Sequence, residues 1–444
     1  MRRGARRRTW ASGDRRRCGR DLPLEALFGV RSLGSWLAPS AAGSVADEPA
    51  GTNCAAGGVA LRSGVDDNSD GLLADPEVDR THYVCNVYVV QSSGGADHGC
   101  ALTSGGQVRR WGDNTWGQLG NGGSAPSLTP ATLSGLSGAT AISSGGYHSC
   151  ALLSDGSVRC WGYNATGQLG EGAASSPRRT PVAVSGLSGA IEISAGRDHT
   201  CAVRADGTAS CWGDNGLGQL GDGTTTDSPV PVLVSGLSAA TVITAGHVHS
   251  CAVLADGTAR CWGRGNSGEL GDGAGADSLT PVAVSGLSGV ASIALGYYHS
   301  CSLQTDGSAL CWGLGSLGQL GDGSSGIGAM STTPVVVSGL SGAISLVAGF
   351  DHNCALLGDG SASCWGSNFN GDLGDGGVVG IASTPLPVGG LSGGMGIAAG
   401  WDHSCVLLAD ANASCWRLND FGEFGDGTNV SSPAPVPVFL GFAP

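Results

Sequence analysis

The sequence contains no lysine, and all 22 of its basic residues are arginines. Charged residues of both signs make up only 13% of the 444 residues, and aromatic residues only 5%. No run of eighteen or more apolar residues occurs, so no transmembrane helix is predicted, and no long segment shows a helical period. The chain is instead rich in glycine, with 80 residues beside 18 prolines. This composition is typical of short strands joined by tight turns.

The positive charge is concentrated at one end of the sequence. Residues 1–20 hold nine arginines and one acid, Asp14, which gives +8 in a chain of formal charge −14. The other residues therefore carry −22, and such an acidic surface argues against a nucleic-acid partner. We interpret residues 1–50 as a basic, low-complexity leader or disordered arm. An export leader, a twin-arginine-like leader and a misplaced start are the alternatives.

A His-x-Cys unit recurs seven times along residues 87–444, in steps of 50 to 53 residues. The histidines are His98, His148, His199, His249, His299, His352 and His403. A period near 50 residues is typical of stacked supersecondary units, and each repeat reads as four short strands. We therefore predict an all-β, closed seven-bladed β-propeller with four antiparallel strands per blade. One tryptophan per repeat is expected to fill the wedge between neighbouring blades.

The two ends of the repeat region suggest how the ring closes. The last repeat stops after residues 435–438 without the apolar strand that should follow, and a matching segment, residues 87–90, precedes the first repeat. We expect the terminal strands to complete one blade together, which would remove the exposed edges of an open array.

Six repeats carry a second cysteine ten residues after the first, across an Asp-Gly turn. A three-residue hairpin loop places the two directly opposite each other, close enough for a disulfide. The predicted pairs are Cys150–Cys160, Cys201–Cys211, Cys251–Cys261, Cys301–Cys311, Cys354–Cys364 and Cys405–Cys415. Six copies of one pairing indicate an oxidising compartment, whereas zinc would find only three ligands per site. In the first repeat Cys100 faces Arg110, and is either a free thiol or joined elsewhere, for example to Cys18.

Residues 51–86 are predicted to form a small separate module bracketed by Cys54 and Cys85, which we expect to pair. Within it, residues 66–77 match the twelve-residue calcium loop, with oxygen ligands at positions 1, 3, 5 and 12 and glycine at position 6. The expected ligands of one Ca²⁺ ion are Asp66, Asn68, Asp70, the carbonyl of Leu72 and a bidentate Glu77. Residues 58–65 do not read as a helix, so the loop is similar to the single loops of dockerin-like extracellular modules. A polar turn with an accidental match is the alternative.

Residues 111–120 read Trp-Gly-Asp-Asn-Thr-Trp-Gly-Gln-Leu-Gly, and residues 212–221 repeat the pattern closely. Together with the Ala-Gly-x-x-His strands, these units resemble the regulator-of-chromosome-condensation repeat over about residues 87–441, in a secreted, bacterial-type form. The resemblance implies a seven-bladed propeller. It also implies divergent functions: guanine-nucleotide exchange on a small GTPase, light sensing, ubiquitin-ligase accessory domains and inhibition of a β-lactamase. Fold alone does not choose among them, and the paired cysteines and acidic body depart from the exchange factors.

Two residues between the glycine and the histidine vary in every repeat while their surroundings recur. In the family that this chain resembles, this loop lies on the face used for partners. The partner-binding residues predicted there are Tyr147, Arg197, Asp198, His247, Tyr297, Tyr298, Phe350, Asp351, Trp401 and Asp402. Tyrosine, tryptophan and arginine concentrate binding energy at interfaces, and packing between blades is the alternative role. We interpret the seven repeated histidines as structural, because a catalytic group is needed only once.

The sequence shows no nucleophile–base pair, phosphate loop or single-copy catalytic cluster, so we predict that the protein is not an enzyme. We expect a monomeric binding or scaffold protein, secreted, periplasmic or at the cell surface. It would recognise a protein, or a glycan, through one face of the propeller. The alternatives are a cytoplasmic guanine-nucleotide exchange factor or regulator of a small GTPase, and a secreted enzyme inhibitor.

Overall fold

The computed structural model describes residues 41–48, 58–65, 78–85, 88–378, 380–410 and 412–440. The chain divides into two compact units, residues 1–87 and 88–444. In the first unit, β1 (Ala41–Glu48), β2 (Gly58–Val65) and β3 (Val78–Cys85) form an antiparallel sheet in that order. The expected calcium ligands and the expected disulfide partners lie outside the described residues: Asp66, Asn68, Asp70, Leu72, Glu77, Cys54 and Cys18. The calcium loop therefore stays a prediction.

The second unit consists of seven four-stranded antiparallel sheets, each made from four consecutive strands, which confirms the seven-bladed propeller. The first four blades are β4 Val89–Gly94, β5 His98–Thr103, β6 Val108–Gly112, β7 Ser127–Thr132; β8 Ala139–Ser144, β9 His148–Leu153, β10 Val158–Gly162, β11 Arg178–Ala183; β12 Ala190–Ala195, β13 His199–Arg204, β14 Ala209–Gly213, β15 Ser228–Leu233; and β16 Ala240–Ala245, β17 His249–Leu254, β18 Ala259–Gly263, β19 Ser278–Ala283. The last three are β20 Val290–Leu295, β21 His299–Gln304, β22 Ala309–Leu314, β23 Met330–Val336; β24 Ala343–Ala348, β25 His352–Leu357, β26 Ala362–Ser367, β27 Ile381–Pro387; and β28 Gly394–Ala399, β29 His403–Leu408, β30 Ala413–Arg417, β31 Ser432–Val438. The described part of the chain holds no helix long and apolar enough to cross a membrane.

The second and third strands of each blade form a hairpin whose register follows from its turn. In blade 2 the turn contains Gly156, whose φ of 75° is unstrained only for glycine. Cys150 consequently faces Cys160 with the Cα atoms 4.1 Å apart, and the two form a disulfide. The five other predicted pairs are bonded in the same way. In blade 1, Cys100 faces Arg110 and is a free, buried thiol.

The prediction that the two ends of the chain complete one blade together is wrong. β4 pairs with β5 and β31 pairs with β30, so both terminal blades are made from consecutive strands. After the outermost strand of a blade the chain returns to the axis and begins the next blade. The apolar strand expected after β31 would therefore belong to a new blade. The ring closes instead by packing of β28 and β29 against β4, with Val89, Trp111 and Leu407 in one buried cluster.

Tryptophans fill the wedges between blades, as predicted. The fully buried ones are Trp161, Trp212, Trp262, Trp312, Trp365 and Trp416. Each indole Nε1 donates to a backbone carbonyl in the long loop of the preceding blade, for example Trp212 to Gln168 at 2.9 Å. Trp111 does the same at the point of closure, where its acceptor is the carbonyl of Glu423 in blade 7 at 2.6 Å. The seven indoles thus link all seven blades.

The interpretation of the repeated histidines as structural is confirmed. His98 Nε2 lies 2.8 Å from Ser149 Oγ of blade 2, and that hydroxyl donates to the carbonyl of Gln118. Because the hydroxyl proton is used there, the imidazole is the donor. Burial lowers the pKa of His98 to about 4, which keeps the ring neutral. The same contact between histidine and the next blade recurs as far as blades 6 and 7.

Candidate functional site

One end of the propeller carries the seven turns that join the first and second strands, together with the long loops between the third and fourth strands. We call this end the loop face. Each turn begins with a glycine, because a Cβ there would collide with the neighbouring blade or with the histidine of its own blade; on Gly145 it would lie 2.3 Å from the carbonyl oxygen of Gly196. Neighbouring turns also hydrogen-bond through their backbones, as in Trp401 N to Gly95 O at 3.2 Å. The variable residues are therefore held on a closely packed ring.

Five of the predicted partner-binding residues pack against one another across the axis. This axial cluster consists of Tyr147, His247, Tyr297, Phe350 and Trp401. The ring centroid of Trp401 lies 5.5 Å from that of Tyr147, 4.6 Å from that of His247 and 6.2 Å from that of Phe350. Tyr297 stacks on Phe350 at 4.4 Å. His247 is nearly covered, at 7% exposed, and the four other side chains are partly exposed, so packing between blades and a partly exposed aromatic surface coexist here.

Small residues in two blades leave room for this cluster. The first variable position is Ala96 in blade 1 and Gly146 in blade 2. A Cβ on Gly146 would lie only 3.1 Å from the ring of Trp401. Trp401 of blade 7 can therefore lie over the turn of blade 2, where it meets Tyr147.

The other predicted residues form a partly buried, charged rim around the axial cluster. Arg197 pairs with Asp198, with Nε and Oδ2 3.0 Å apart, and its guanidinium carbon lies 6.0 Å from the ring centre of Trp401. Asp351 accepts the Gln319 amide at 3.1 Å. The rim thus presents carboxylates and a guanidinium beside aromatic rings.

Two arginines outside the predicted set hold parts of this rim. The guanidinium carbon of Arg264 lies 4.2 Å from the ring centre of Tyr298. Arg417 forms ion pairs with Asp372 and Asp402 and donates to the Trp401 carbonyl at 2.9 Å.

Arg417 also has an unusual backbone conformation. Its φ is +85°, at a position where all six other blades have glycine, and such a conformation costs a non-glycine residue about 1–3 kcal/mol. The ion pairs and the contact with Trp401 offset that cost. The sequence signal was available, because Arg417 is the only departure from Trp-Gly in seven repeats.

Exposed aromatics in the long loops extend the surface beyond the turns. Trp116 is 39% exposed, Phe369 54% and Phe421 45%. Tyr163 bridges the two regions, with ring centroids 4.9 Å from Trp116 and 6.5 Å from Tyr147. Sequence reasoning missed these residues because it considered variation only beside the histidines, although the long loops vary at equivalent places too.

The ionisable groups of the loop face are strongly affected by burial. Burial, followed by the charge of Arg197, lowers the pKa of His247 to about 3, so the axial cluster is uncharged at neutral pH. Burial and neighbouring carboxylates raise the pKa of Asp97 to about 6. Behind the turns, the innermost strands line a cavity of about 250 Å³ that Arg197, His247 and Trp401 border. Within the described ranges no group of three or more His, Cys, Asp or Glu side chains is arranged to hold a metal ion.

Two family models described as the regulator of chromosome condensation (RCC1) repeat match this propeller. One matches residues 106–152, 155–203, 206–253, 256–303 and 306–356, which together span more than half of the chain. The other matches residues 139–168, 190–219, 241–269, 290–319 and 343–372. In the first unit, a domain of unknown function (DUF7151) matches residues 43–85.

Curated relatives match only part of the chain. E3 ubiquitin-protein ligase HERC2 of Homo sapiens is 31% identical over 218 residues, which is 48% of this chain and 4% of that protein. The ultraviolet-B receptor UVR8 of Arabidopsis thaliana is 32% identical over 142 residues, 31% of this chain and 32% of that protein. This chain therefore covers a third or less of the length of either relative.

Solved structures share the fold. Human WBSCR16 has a TM-score of 0.68 at 20% identity, over 76% of this chain and 95% of that chain. Prp20p from Saccharomyces cerevisiae has a TM-score of 0.66 at 22% identity, over 80% of this chain and 87% of that chain.

Proposed function

This chain belongs to the regulator of chromosome condensation repeat family, and from that premise we propose that it is a non-catalytic binding protein that captures a protein partner on its loop face. The observation that carries the proposal is the axial cluster. It gathers aromatic side chains from five blades at positions that vary while the rest of each repeat stays uniform. A scaffold role alone would not require large aromatic residues at one partly exposed end of the axis.

The chemistry of this surface suits protein recognition. Interfaces are enriched in tyrosine, tryptophan, phenylalanine and arginine at their centres, with a polar rim. Here Trp401, Tyr297 and Arg197 lie near the axis, while Trp116 and Phe421 extend the apolar surface outward. Because the turns are held by backbone hydrogen bonds, little conformational entropy would be lost on binding.

Similar propellers support a protein as the partner. Prp20p is described together with its binding to Gsp1p and histones, and a related yeast structure shows Kap60 bound to RCC1. These partners belong to those proteins, and we extend to this chain only the general role of binding a protein.

The six disulfides support export to an oxidising compartment, because cytoplasmic thiols are kept reduced. Only four of the sixteen cysteines lie outside these pairs. Thiol titration of denatured protein, isolated natively under alkylating protection, should therefore find at most about four free thiols. About sixteen would instead favour the cytoplasmic regulator of a small GTPase.

The binding site is tested by replacing Arg197, Tyr297 and Trp401 together with alanine. Tagged protein is incubated with extract from its native surroundings, and captured proteins are quantified by mass spectrometry. Ile344→Ala is the matched control, because Ile344 is 58% exposed but lies near the start of β24, at the far end from the turns. We expect the triple variant to lose the captured partner while retaining its circular dichroism spectrum. Unchanged capture would contradict the site, and loss of capture after deglycosylation of the extract would indicate a glycan.

A further inference from the structure

One position in the long loop of every blade holds a buried polar side chain. We call it the anchor position, and its seven residues are Gln118, Gln168, Gln219, Glu269, Gln319, Asp372 and Glu423. The backbone carbonyl of each accepts the indole N–H of the next blade's tryptophan. The seven side chains therefore start from equivalent places and can be compared directly.

Six of the anchor side chains contact a complementary group. The contacts are Gln118 with Asp113, Gln168 with Asp198, Gln219 with Asp214, Glu269 with Arg264, Gln319 with Asp351, and Asp372 with Arg417. In four of them an amide donates to a carboxylate, at 2.6 to 3.5 Å. In the other two a carboxylate meets a guanidinium. Every acid in these six contacts thus faces an amide or a guanidinium.

Glu423, the seventh anchor residue, breaks this rule. It is only 1% exposed. Its Oε2 accepts the N–H of Phe421 at 2.9 Å, but its Oε1 has no hydrogen-bond partner in the part of the chain that the structure describes. The next blade offers Asp97, at the turn position where Asp198 and Asp351 each receive a glutamine amide. Two carboxyl groups therefore stand where the corresponding junctions pair a carboxylate with an amide.

Burial and neighbouring negative charges make the ionised forms of Asp97 and Glu423 unfavourable, and no donor within the described residues stabilises Glu423 Oε1. Burial, with Asp402, Asp113 and Asp420, raises the pKa of Asp97 to about 6. Burial, with Asp97 and Asp420, raises the pKa of Glu423 to about 7. Around them, residues 88–440 carry 25 acids against 10 arginines. The pair is thus acidic and desolvated.

The four acids at this junction differ in exposure. Asp420 is exposed, and Asp97 and Asp402 are partly exposed, whereas Glu423 is buried, so a cation from outside meets Asp97, Asp402 and Asp420 first. Arg417 forms an ion pair with Asp402, but the same guanidinium also pairs with the buried Asp372. Arg417 therefore does not neutralise Asp402 alone.

From this geometry we infer that the acidic site formed by Asp97, Asp402, Asp420 and Glu423, where blades 7 and 1 meet, binds an arginine or lysine side chain of the protein partner. The inference rests on the proposed function, because it places this side chain on the partner of the same loop face. A guanidinium would supply to Glu423 the donor that Glu269 receives within the chain. Phe421, which is 45% exposed, offers an aromatic face for the same cation.

A basic side chain fits this site better than a metal ion. The described acids do not form a group arranged to hold a metal. An arginine needs only correctly placed acceptors, and its planar donors match carboxylates.

The test measures binding of two labelled peptides to the whole chain at pH 8, where the acids are ionised. One peptide is acetyl-(Gly-Arg)₃-amide, and the other replaces each arginine by the neutral, nearly isosteric citrulline. Glu423→Gln and Asp97→Asn are the test variants. Asp306→Asn is the charge-matched control, because Asp306 lies in an exposed turn at the opposite end.

We expect the arginine peptide to bind, the citrulline peptide to bind at least tenfold more weakly, and both test variants to lose about tenfold in affinity for the arginine peptide. Asp306→Asn should bind as the unsubstituted protein does. Equal affinities of the test variants and the control would overturn the inference. Competition of the arginine peptide by millimolar CaCl₂, lost in Glu423→Gln, would overturn it in favour of a metal site. The peptide test can fail while capture of the native partner still depends on Arg197, Tyr297 and Trp401. That result would overturn the inference about the acidic site and leave the proposed function standing.

Discussion

Six of the seven junctions between blades are built alike, whereas the junction that closes the ring between blades 7 and 1 differs. At the six uniform junctions, a histidine contacts a hydroxyl or amide of the next blade. At the closing junction the equivalent position in blade 1 is Gly99, which has no side chain to offer His403. Blade 1 also lacks the disulfide of the other blades and has buried Arg110 opposite Cys100.

This difference separates stability from binding. At the uniform junctions each histidine Nε2 has a hydrogen-bond partner in the next blade, which stabilises the ring. The closing junction leaves Glu423 Oε1 without a donor in the described structure, and an unsatisfied buried polar group costs about 1–3 kcal/mol. A partner whose side chain enters this junction would supply the missing donor. Departures from a repeat are therefore more informative about function than the repeat itself.

The largest effect is expected from breaking a uniform junction at its tryptophan. Trp212→Ala removes a fully buried indole and the donor to the Gln168 carbonyl. We expect the free energy of unfolding, measured by urea titration with far-ultraviolet circular dichroism, to fall by about 3–5 kcal/mol. Ile344→Ala, on the surface, should change it by less than about 0.5 kcal/mol. Similar values for the two variants would show that the wedges do not carry the stability.

The next effect concerns the disulfides. Replacing Cys201 and Cys211 with serine opens a short loop in a uniform blade, and should lower the free energy of unfolding by about 2–3 kcal/mol.

Arg110→Cys should allow a disulfide bond to Cys100, because the two are register partners, and should stabilise blade 1 by up to a similar amount. The bond is checked by mass spectrometry before and after reduction. A bonded variant that unfolds more easily than the unsubstituted protein would contradict the comparison.

A third prediction tests whether the closing junction can be made uniform. Gly99→Ser supplies the hydroxyl that five other blades carry at this position. A Cβ on Gly99 would, however, lie 2.6 Å from the Trp111 indole. We therefore expect a loss of about 1–3 kcal/mol on thermal or urea unfolding, while Thr200→Ser in a uniform junction should be nearly neutral. A gain in stability for Gly99→Ser would mean that the closing junction differs only by a missing hydroxyl.

The smallest effect is a difference in pH dependence between the protein and Glu423→Gln. Buried histidines such as His148, with a folded pKa of about 3, bind protons mainly when unfolded, so stability falls as pH drops below about 6.5. Glu423 acts in the opposite direction, because burial raises its folded pKa to about 7. As pH falls through that value the buried carboxylate of Glu423 becomes protonated in the folded protein, which removes the unfavourable charge and raises the free energy of unfolding. Between pH 8 and 5.5 we expect Glu423→Gln to lose about 1 kcal/mol more stability than the unsubstituted protein, and parallel curves would contradict the unpaired carboxyl.

The fold could be predicted from the sequence because its determinants are local and repeated. The spacing of Cys150 and Cys160 fixes a hairpin register, and a tryptophan at one place in each repeat indicates one wedge per blade. The way the ring closes could not be predicted correctly. The sequence shows an apolar strand before the histidine of each repeat, as β4 is before His98. It does not show that this strand pairs with the strand that follows it.

The candidate site was predicted in part. Variation beside the histidines located Trp401 and Tyr297, since these turns must converge at the axis. Arg417, Trp116 and Glu423 were missed because their roles depend on contacts between blades. The unmatched pair of Glu423 and Asp97 joins residues more than 300 positions apart, and only the closed ring brings their blades together.

Hydrogen exchange of the native chain, resolved by peptide mass spectrometry, tests most directly whether the closing junction is distinct. We expect backbone amides of β4, β5, β28 and β29 to exchange before those of the corresponding strands at the six uniform junctions, and Glu423→Gln to slow this early exchange. Uniform exchange around the ring, or first opening at a junction with an intact histidine contact, would contradict this expectation.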